Sequence, residues 1–383
     1  MGLVLLNRHH RQEYAVHAPS APPRDFHRRL PGYAETPLRT LPGTAARLGL
    51  AEVLLKDESS RLGLPAYKVL GAAWATWMAL RRRFGEELTG WGSIEELRLR
   101  LASRPRLRLV TATDGNHGRG VARVARWLGF EAEVYVPAGT VASRIEGIRS
   151  EGARVVEVEG TYDQAVERAA AVRGETVLQI QDHGWPGYEE IPQWVAEGYE
   201  TIFAEVENQL AALDRPSPDL VLVQIGVGTL ASAVVRHWRR TGLDSRPVLV
   251  GVEPTGAACA LRSIEAGHPV MIEAGAHSSI MAGLNCGTPS SAAWPDLVAG
   301  IDAFVAVEDD QARAAMRELA GAGIVAGESG AAGLAGLVEL MAPGNAAARE
   351  SLGVGNRTHV LLISTEGATD PVAYAEIVGK KEV

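Results

Sequence analysis

Lys68 is the side chain whose surroundings most favour covalent chemistry. It follows the polar turn Lys56–Ser60 and lies in the run Ala66–Ala73, where a helix is predicted to begin. Its helical neighbours are small or apolar, so we expect its ammonium in a packed environment. Desolvation lowers a lysine pKa and frees the amine to attack an aldehyde. The alternative is a lysine whose stem covers apolar surface while its ammonium reaches water, which is a common arrangement.

A cluster of polar side chains follows the apolar run Leu107–Val110. The segment Thr111–Gly118 brings together a hydroxyl, the carboxylate of Asp114, the amide of Asn116 and an imidazole. Its two glycines allow a sharp turn and a close approach of the backbone to a ligand. Open α/β sheets bind ligands where a strand ends and a helix begins, so this segment predicts a ligand site. Helix capping would explain one of these side chains but not all of them.

A glycine-containing loop follows the apolar run Leu220–Val223. Its backbone amides, at the start of a predicted helix, would form an anion cradle suited to a phosphate, made by Gly226, Val227, Gly228 and Thr229. The same loop also fits the dinucleotide pattern GxGxxG/A, with Glu253 at a strand end about 20 residues later. On this loop alone, NAD and a smaller phosphate-bearing cofactor are equally good interpretations.

Polar side chains end two further apolar runs. Asp182 follows the run Thr176–Ile180, and Ser364 and Thr365 follow the run that ends at Ile363. We expect Asp182 to point from a strand end into a cleft. Turn formation is the alternative interpretation for both segments, because Asp, Ser and Gly are common turn residues.

Strand-like and helix-like segments alternate along most of the chain. Apolar runs without strict alternation predict strands covered on both faces, at 51–56, 107–112, 132–137, 153–158, 176–181, 219–225, 247–252, 302–306 and 358–364. Helix-like stretches fill most of the gaps, at 67–84, 117–129, 142–151, 161–173, 189–213, 229–241, 309–321 and 330–341. This alternation predicts an α/β fold with largely parallel sheets.

The number of strands predicts two domains. Each would be an open, mostly parallel, twisted sheet flanked by helices, with the active site in the cleft between them. Residues 1–75 and 186–383 would form the large, cofactor-anchoring domain, and residues 76–185 the small domain that carries the loop from Asp114 to Asn116. We expect residues 1–35 to form an irregular arm packed on a partner subunit. Residues 85–105, rich in Arg and Trp, match no predicted element.

Composition excludes several classes of protein. The 383 residues carry a net charge of -8, which argues against nucleic acid as a partner. Two cysteines, Cys259 and Cys286, are too few for a disulfide framework and fit a reducing compartment. Neither lies in a metal-ligand pattern, so no metal is expected. No apolar stretch approaches a membrane span or a signal-peptide core, so a cytoplasmic protein is predicted.

Taken in order, these segments resemble the fold type II enzymes that use pyridoxal 5′-phosphate (PLP), the tryptophan synthase β-subunit group. Within that group the chain most resembles the diaminopropionate ammonia-lyases, from about residue 36 to residue 375. The stretches that carry the resemblance are Lys56–Ser59, Tyr67–Gly71, Thr113–Ala122, Gln181–Asp182, Trp185–Glu189, Ile280–Leu284, Gly327–Gly330 and Ser364–Gly367.

The resemblance implies a role for each candidate residue. Lys68 would carry PLP covalently, Asn116 would hydrogen-bond the ring hydroxyl, and the loop 226–229 would hold the phosphate. Either Ser364 or Thr365 would face the pyridine nitrogen. A neutral hydroxyl there does not enforce a protonated ring, which suits β-elimination better than transamination. The phosphate loop departs from the family pattern, because Val227 stands where many relatives have glycine.

The resemblance also implies the reaction. Many relatives carry Ser or Ala at the position of Asp114, and a carboxylate there suits a substrate with a cationic β-amino group. Asp114 and Asp182 would act as bases toward opposite enantiomers of 2,3-diaminopropionate, giving pyruvate and two ammonia, in a homodimer. The alternatives are serine/threonine dehydration or β-replacement on the same fold, an NAD-dependent dehydrogenase, and a non-catalytic PLP-fold binding protein.

Overall fold

The computed structural model of the chain describes residues 3–16, 21–242, 245–272 and 278–379. Within these ranges the strands are β1 (Leu3–Leu6), β2 (Leu38–Thr40), β3 (Glu52–Asp57), β4 (Arg108–Ala112), β5 (Glu131–Pro137), β6 (Arg154–Val158), β7 (Val177–Gln179), β8 (Leu220–Gln224), β9 (Val248–Pro254), β10 (Ala303–Val307) and β11 (His359–Ser364). Each predicted strand segment overlaps one of them.

The α-helices of the same ranges are α1 (Pro23–His27), α2 (Pro42–Leu48), α3 (Val69–Phe84), α4 (Ile94–Leu101), α5 (Asn116–Leu128), α6 (Ala142–Arg149), α7 (Tyr162–Ala170), α8 (Glu190–Ala212), α9 (Thr229–Trp238), α10 (Cys259–Ala266), α11 (Trp294–Gly300), α12 (Asp309–Gly321), α13 (Ala332–Leu340), α14 (Ala346–Ser351) and α15 (Pro371–Val378). Short 3₁₀ helices cover Glu86–Leu88, Thr255–Ala257, Ala282–Leu284 and Pro343–Asn345. None of the described helices has both the length and the apolar character needed to cross a membrane.

The strands form two sheets, as the alternation of elements predicted. The larger has seven strands in the order β1-β10-β9-β8-β11-β3-β2, and only its edge strands β1 and β2 pair antiparallel. The smaller has four parallel strands in the order β6-β5-β4-β7. Every residue of β8 and β10 is buried, as expected for strands covered by helices on both faces. The α/β fold class is therefore confirmed, whereas the domain boundaries at 75/76 and 185/186 stay a prediction.

Two facing glycines bring α3 and α8 into close contact. A Cβ at Gly71 would lie 2.7 Å from the carbonyl oxygen of Val195, and a Cβ at Gly198 would lie 2.8 Å from Cα of Gly71. Only glycine permits this approach of the two backbones. Because Lys68 immediately precedes α3, the long helix α8 fixes the start of the helix from which Lys68 projects.

A buried ionic cluster fixes the turn between β3 and Lys68. Arg61 donates to Glu205 at 2.7 Å and to Glu58 at 2.6 Å, and Lys56 donates to Glu205 at 2.8 Å. All four side chains have no exposed area. Burial would raise the pKa of Glu205, but the hydrogen bonds and charges of Arg61 and Lys56 lower it to about 2. The turn is thus tied to the middle of α8.

The prediction of an irregular N-terminal arm is wrong for two segments. β1 pairs along β10, and the Nδ2 of Asn7 donates to the carbonyl oxygen of Ile301 at 2.7 Å. The helix α1 places Phe26 against the rings of Trp74 and Trp77. A four-residue edge strand and a one-turn helix are too short to show a period, so their tertiary contacts alone define them. Residues 1–2 and 17–20 of the arm lie outside the described ranges.

The segment 85–105 packs against this arm. Trp91 is buried and contacts the rings of Phe26 and Trp77 edge to face. Helix α4 follows, with Ser93 accepting a hydrogen bond from the N–H of Glu96 as its N-cap. The tryptophan of this segment therefore belongs to the core, and its arginines lie mainly at the surface.

Candidate active site

One cleft collects polar side chains at the strand ends of both sheets. The predicted site residues that line it are Lys68, Asp114, Asn116, Asp182, Gly226, Val227, Gly228, Thr229 and Thr365. Ser364 lies behind this lining, fully buried. The carboxyl ends of β4, β7, β8 and β11 therefore meet the start of α3, as expected for a ligand site of parallel sheets.

Lys68 projects from the N-cap of α3 and donates from Nζ to Oδ2 of Asp182 at 2.7 Å. The expectation of a lowered lysine pKa is wrong here. Burial alone would lower the pKa of Lys68, but the carboxylate of Asp182, helped by Tyr67 and Tyr199, raises it well above the ordinary value. The physical reason is that an opposite charge in hydrogen-bond contact outweighs desolvation.

Asp182 accepts hydrogen bonds from two other residues. Its carboxylate accepts from Lys68, and its backbone carbonyl oxygen accepts from Oγ1 of Thr229 at 2.7 Å. Burial would raise the pKa of Asp182, but the ammonium of Lys68, by its charge and its hydrogen bond, lowers it below the ordinary range. The carboxylate is therefore ionised and lies between the two sheets, pointing into the cleft as predicted.

His117 contacts the same carboxylate through its second ring nitrogen. The Nε2 lies 2.8 Å from the carbonyl oxygen of Ile180, which can only accept, so Nε2 carries the hydrogen. The Nδ1 is buried 3.7 Å from Oδ2 of Asp182 and has no hydrogen-bond partner within the described residues. Burial lowers the pKa of His117, so its ring is a neutral acceptor facing the cleft.

Asp114 is the second carboxylate of the cleft and differs from Asp182 in its surroundings. It is half-buried, with Oδ2 3.5 Å from the position that a Cβ on Gly283 would take. Burial raises the pKa of Asp114, and the charges of Arg144 and Lys68 partly oppose that rise. The two aspartates thus present carboxylates of different basicity to one cavity.

Asn116 is oriented by a residue that the sequence interpretation did not select. Its Nδ2 donates to Oε2 of Glu366 at 2.5 Å, and the N–H of Ser329 donates to the other carboxylate oxygen at 3.2 Å. Glu366 follows β11 and Asn116 begins α5, so this contact joins the two sheets. One hydrogen of the Asn116 amide remains for a ligand.

The loop after β8 forms an anion cradle at the start of α9. Gly228 has φ +97°, and a Cβ there would lie 2.8 Å from Cδ1 of Leu297. A Cβ on Gly226 would lie 2.9 Å from the carbonyl oxygen of Gly283. Both positions therefore require glycine, and the first N–H groups of a ten-residue helix face the cavity. The donor set suits a phosphate.

Glu253 does not complete a dinucleotide site, which overturns that alternative. Its carboxylate is fully buried and accepts hydrogen bonds from the N–H groups of Ala260 at 2.8 Å and Leu261 at 2.7 Å. A dinucleotide site needs this carboxylate for the ribose hydroxyls. Here it caps α10 instead.

The comparisons with known proteins agree with this geometry. The profile of the family described as "Pyridoxal-phosphate dependent enzyme" matches residues 29–364. The chain belongs to this family. Its cofactor is therefore PLP. The assignment of the lysine, the amide, the loop 226–229 and the hydroxyls to particular groups of PLP stays a prediction.

The similar proteins include ammonia-lyases. The chain is 38% identical to the diaminopropionate ammonia-lyase of Salmonella typhimurium, over 92% of this chain and 90% of that protein. A crystal structure of the diaminopropionate ammonia lyase of Escherichia coli, in complex with an aminoacrylate-PLP azomethine reaction intermediate, has a TM-score of 0.89 at 32% identity, covering 99% of this chain and 97% of that one. The L-threonine dehydratase of Corynebacterium glutamicum is 28% identical, over 91% and 71%.

Two hydroxyls are the predicted partners of the ring nitrogen of PLP. Thr365 lines the cleft, with Oγ1 3.4 Å from Nε2 of Gln224. The Oγ of Ser364 is buried and has no hydrogen-bond partner within the described part of the chain. A buried hydroxyl without a partner is costly, so a ring nitrogen beside Ser364 would satisfy it. The choice between the two stays a prediction.

Several cleft residues carried no motif that sequence interpretation could use. Tyr162 is the clearest case, since its hydroxyl accepts from Nε2 of Gln181 at 3.2 Å inside the lining of the cleft. Its position soon after β6 was the available signal, because the carboxyl ends of parallel strands share one edge. Cys286 also lines the cleft, and both it and Cys259 are buried free thiols.

Proposed function

We propose that this enzyme eliminates ammonia from 2,3-diaminopropionate and gives pyruvate and two ammonia. The observation that carries the proposal is the presence of two carboxylates, Asp114 and Asp182, in the cleft that contains Lys68. The similarity to diaminopropionate ammonia-lyases supports the same substrate. A cationic β-amino group is attracted by these carboxylates, whereas the neutral hydroxyl of serine gains less from them.

The chain's own residues would bind and orient the reacting groups. Lys68 would hold the cofactor, the loop 226–229 its phosphate, and the free amide hydrogen of Asn116 its ring hydroxyl. When bound, PLP supplies an electron sink for the charge left by loss of the α-proton. The carboxylate of Asp182 would accept that proton from one enantiomer and the carboxylate of Asp114 from the other.

The β-amino group leaves most easily from its protonated form. The carboxylate that does not act as base lies in the same cleft and would hold this β-ammonium until the C–N bond breaks and neutral ammonia departs. His117 would accept a further hydrogen bond at Nδ1, since that nitrogen is buried beside Asp182. Release of aminoacrylate and its hydrolysis would then complete the balance of pyruvate and two ammonia.

The test is an absorbance spectrum of the purified enzyme before and after D,L-2,3-diaminopropionate is added. We expect a visible band of lysine-bound PLP that is absent from Lys68→Ala, and a change of that band together with pyruvate formation. A band that does not respond to the substrate would contradict the proposed activity while leaving the cofactor in place. Turnover by Asp114→Asn and Asp182→Asn on the separate enantiomers tests the two bases.

A threonine or serine dehydratase is the second candidate. It is favoured by the similarity to the L-threonine dehydratase of Corynebacterium glutamicum. Equal amounts of serine, threonine and each diaminopropionate enantiomer should be compared as substrates of the same preparation. A higher kcat/KM for serine or threonine would favour this candidate.

We also propose that the enzyme is a cytoplasmic homodimer. The buried free thiols of Cys259 and Cys286 support a reducing compartment. The family resemblance supports the dimer. Sedimentation equilibrium should give twice the chain mass of 40.7 kDa, and a value of one chain mass would overturn this part of the proposal.

A further inference from the structure

Arg144 lies against the loop that carries Asp114. It belongs to α6, and its Cβ, Cγ and Cδ atoms would be 3.1–3.3 Å from a Cβ placed on Gly115. Gly115, which has φ +150°, therefore leaves room for the stem of Arg144 between Asp114 and Asn116. This contact sets the guanidinium beside the backbone of the ligand loop.

The guanidinium of Arg144 has several carboxylates around it but, within the described residues, forms no close ion pair with any of them. Its charge faces acidic groups from three segments, which are Glu366, Asp114, Glu328 and Asp370. Within the residues described, it makes no ion pair of 4.0 Å or less, and its buried Nε has no hydrogen-bond partner. Buried polar groups in proteins are normally hydrogen-bonded. Because no single carboxylate pairs closely with Arg144, its charge can act on the several carboxylates around it.

Arg144 and Lys68 are the cations with the largest effect on Asp114, while Glu366 and Asp182 are the anions. The charge of Lys68 changes as it forms and releases its bond to the cofactor, whereas an arginine stays protonated at every working pH. Arg144 is therefore the cation beside Asp114 whose charge does not change during the reaction. Without it, burial and two neighbouring carboxylates would all favour the neutral acid, which cannot accept a proton.

We propose that Arg144 is a positioning residue that keeps Asp114 ionised, and thereby sets the activity toward the enantiomer whose α-proton Asp114 removes. This inference rests on the proposed function. It predicts a consequence that a purely structural arginine would not have, because Arg144 is the charged group with the largest effect on Asp114 and is not among the groups with the largest effects on Asp182. Loss of Arg144 should therefore affect one enantiomer selectively.

The test is the pH dependence of kcat/KM for each enantiomer, measured for the wild type, Arg144→Gln, Arg144→Met and Arg144→Lys. Arg144→Met keeps the aliphatic stem on Gly115, and Arg144→Lys keeps the charge. For the enantiomer that Asp114→Asn impairs, we expect the acid limb to move up by about one pH unit when the charge is lost. Arg144→Lys should restore it. Enantiomers have identical pKa values in solution, so the other enantiomer is an internal control.

A second readout does not depend on turnover. The carboxylic-acid infrared band of the PLP-loaded enzyme, assigned by its loss in Asp114→Asn, should persist to higher pH in Arg144→Gln than in the wild type. Arg149→Gln is the matched control, since Arg149 lies on the same helix and faces Glu157 at 3.8 Å. An equal shift for both enantiomers, or no shift in either readout, would overturn the inference. If Asp114→Asn impairs neither enantiomer, the proposed base assignment has failed instead.

Discussion

The ammonium of Lys68 and the carboxylate of Asp182 meet at 2.7 Å between the two sheets. Lys68 precedes the helix α3 that packs on α8, and Asp182 follows β7 of the smaller sheet. The pair therefore couples the chemistry of the lysine to the relative position of the two sheets. It also stabilises the protonated amine, which cannot attack an aldehyde.

The first prediction concerns this pair. Asp182→Asn should lower the pKa of Lys68, because the largest group that raises it is removed and burial remains. At neutral pH more of the amine is then unprotonated, so PLP should attach to the apoenzyme about tenfold faster. Stopped-flow absorbance after mixing apoenzyme with PLP measures this rate. Asp310→Asn, which removes an exposed carboxylate paired with Arg313, is the control. An attachment rate that is unchanged or slower in Asp182→Asn would contradict the prediction.

The second prediction concerns the phosphate cradle. Gly228→Ala should weaken PLP binding by roughly tenfold or more, since its Cβ would collide with Leu297 at 2.8 Å and shift the start of α9. Gly242→Ala is the matched control, because Gly242 also has a positive φ, +84°, but has no atom within 4 Å of the added Cβ. Equilibrium titration with PLP measures both variants. Equal losses of affinity would mean that backbone strain, not crowding, is responsible.

The third prediction concerns the buried ionic cluster. Glu205→Ala leaves the buried Lys56 without its ion-pair partner and Arg61 with Glu58 alone, so it should lower the free energy of unfolding by about 3–5 kcal/mol. Glu52→Ala removes the partly exposed partner of Arg215 and should cost less than about 1 kcal/mol. Urea unfolding followed by circular dichroism gives both values. Similar losses in the two variants would show that the buried cluster contributes no more than a surface pair.

Much of the site could be predicted from the sequence because it lies at strand ends. Asp114, Asn116 and Asp182 each follow an apolar run, and in a parallel sheet such positions share one edge. The buried strands were equally clear, since β10 is apolar throughout and β8 is apolar up to Gln224. By contrast, β1 has four residues and pairs along a single edge, so only its contact with β10 defines it.

What could not be predicted depends on contacts between distant segments. Asn116 and Glu366 are separated by 250 positions, and no periodicity reports their hydrogen bond. The direction of the Lys68 pKa shift is a similar case. Burial lowers this pKa and Asp182 raises it, so the outcome depends on the distance between Lys68 and Asp182, which the sequence does not give. Glu253 satisfied the dinucleotide spacing, yet its carboxylate turned out to cap α10. A spacing pattern cannot distinguish these two roles.

The last prediction concerns His27, which ties the N-terminal arm to the two helices behind the site. Its Nδ1 lies 2.7 Å from Oγ1 of Thr201, and its Nε2 lies 2.9 Å from the carbonyl oxygen of Leu70. Burial lowers the pKa of His27 to about 3. The unfolded chain therefore binds a proton at His27 that the folded chain does not bind, in the window between pH 6.5 and about 3.

Stability contributed by His27 is present above pH 6.5 and is lost as the pH falls, since the unfolded state then gains the proton. Between pH 7 and pH 5 this linkage should cost the wild type about 2 kcal/mol of unfolding free energy. His27→Gln should be less stable at pH 7, because a packed side chain is replaced, but should lose about 2 kcal/mol less on acidification. Urea midpoints at the two pH values, with the exposed His268→Gln as control, measure the difference. If His27→Gln loses as much stability as the wild type between pH 7 and pH 5, His27 is not the group responsible.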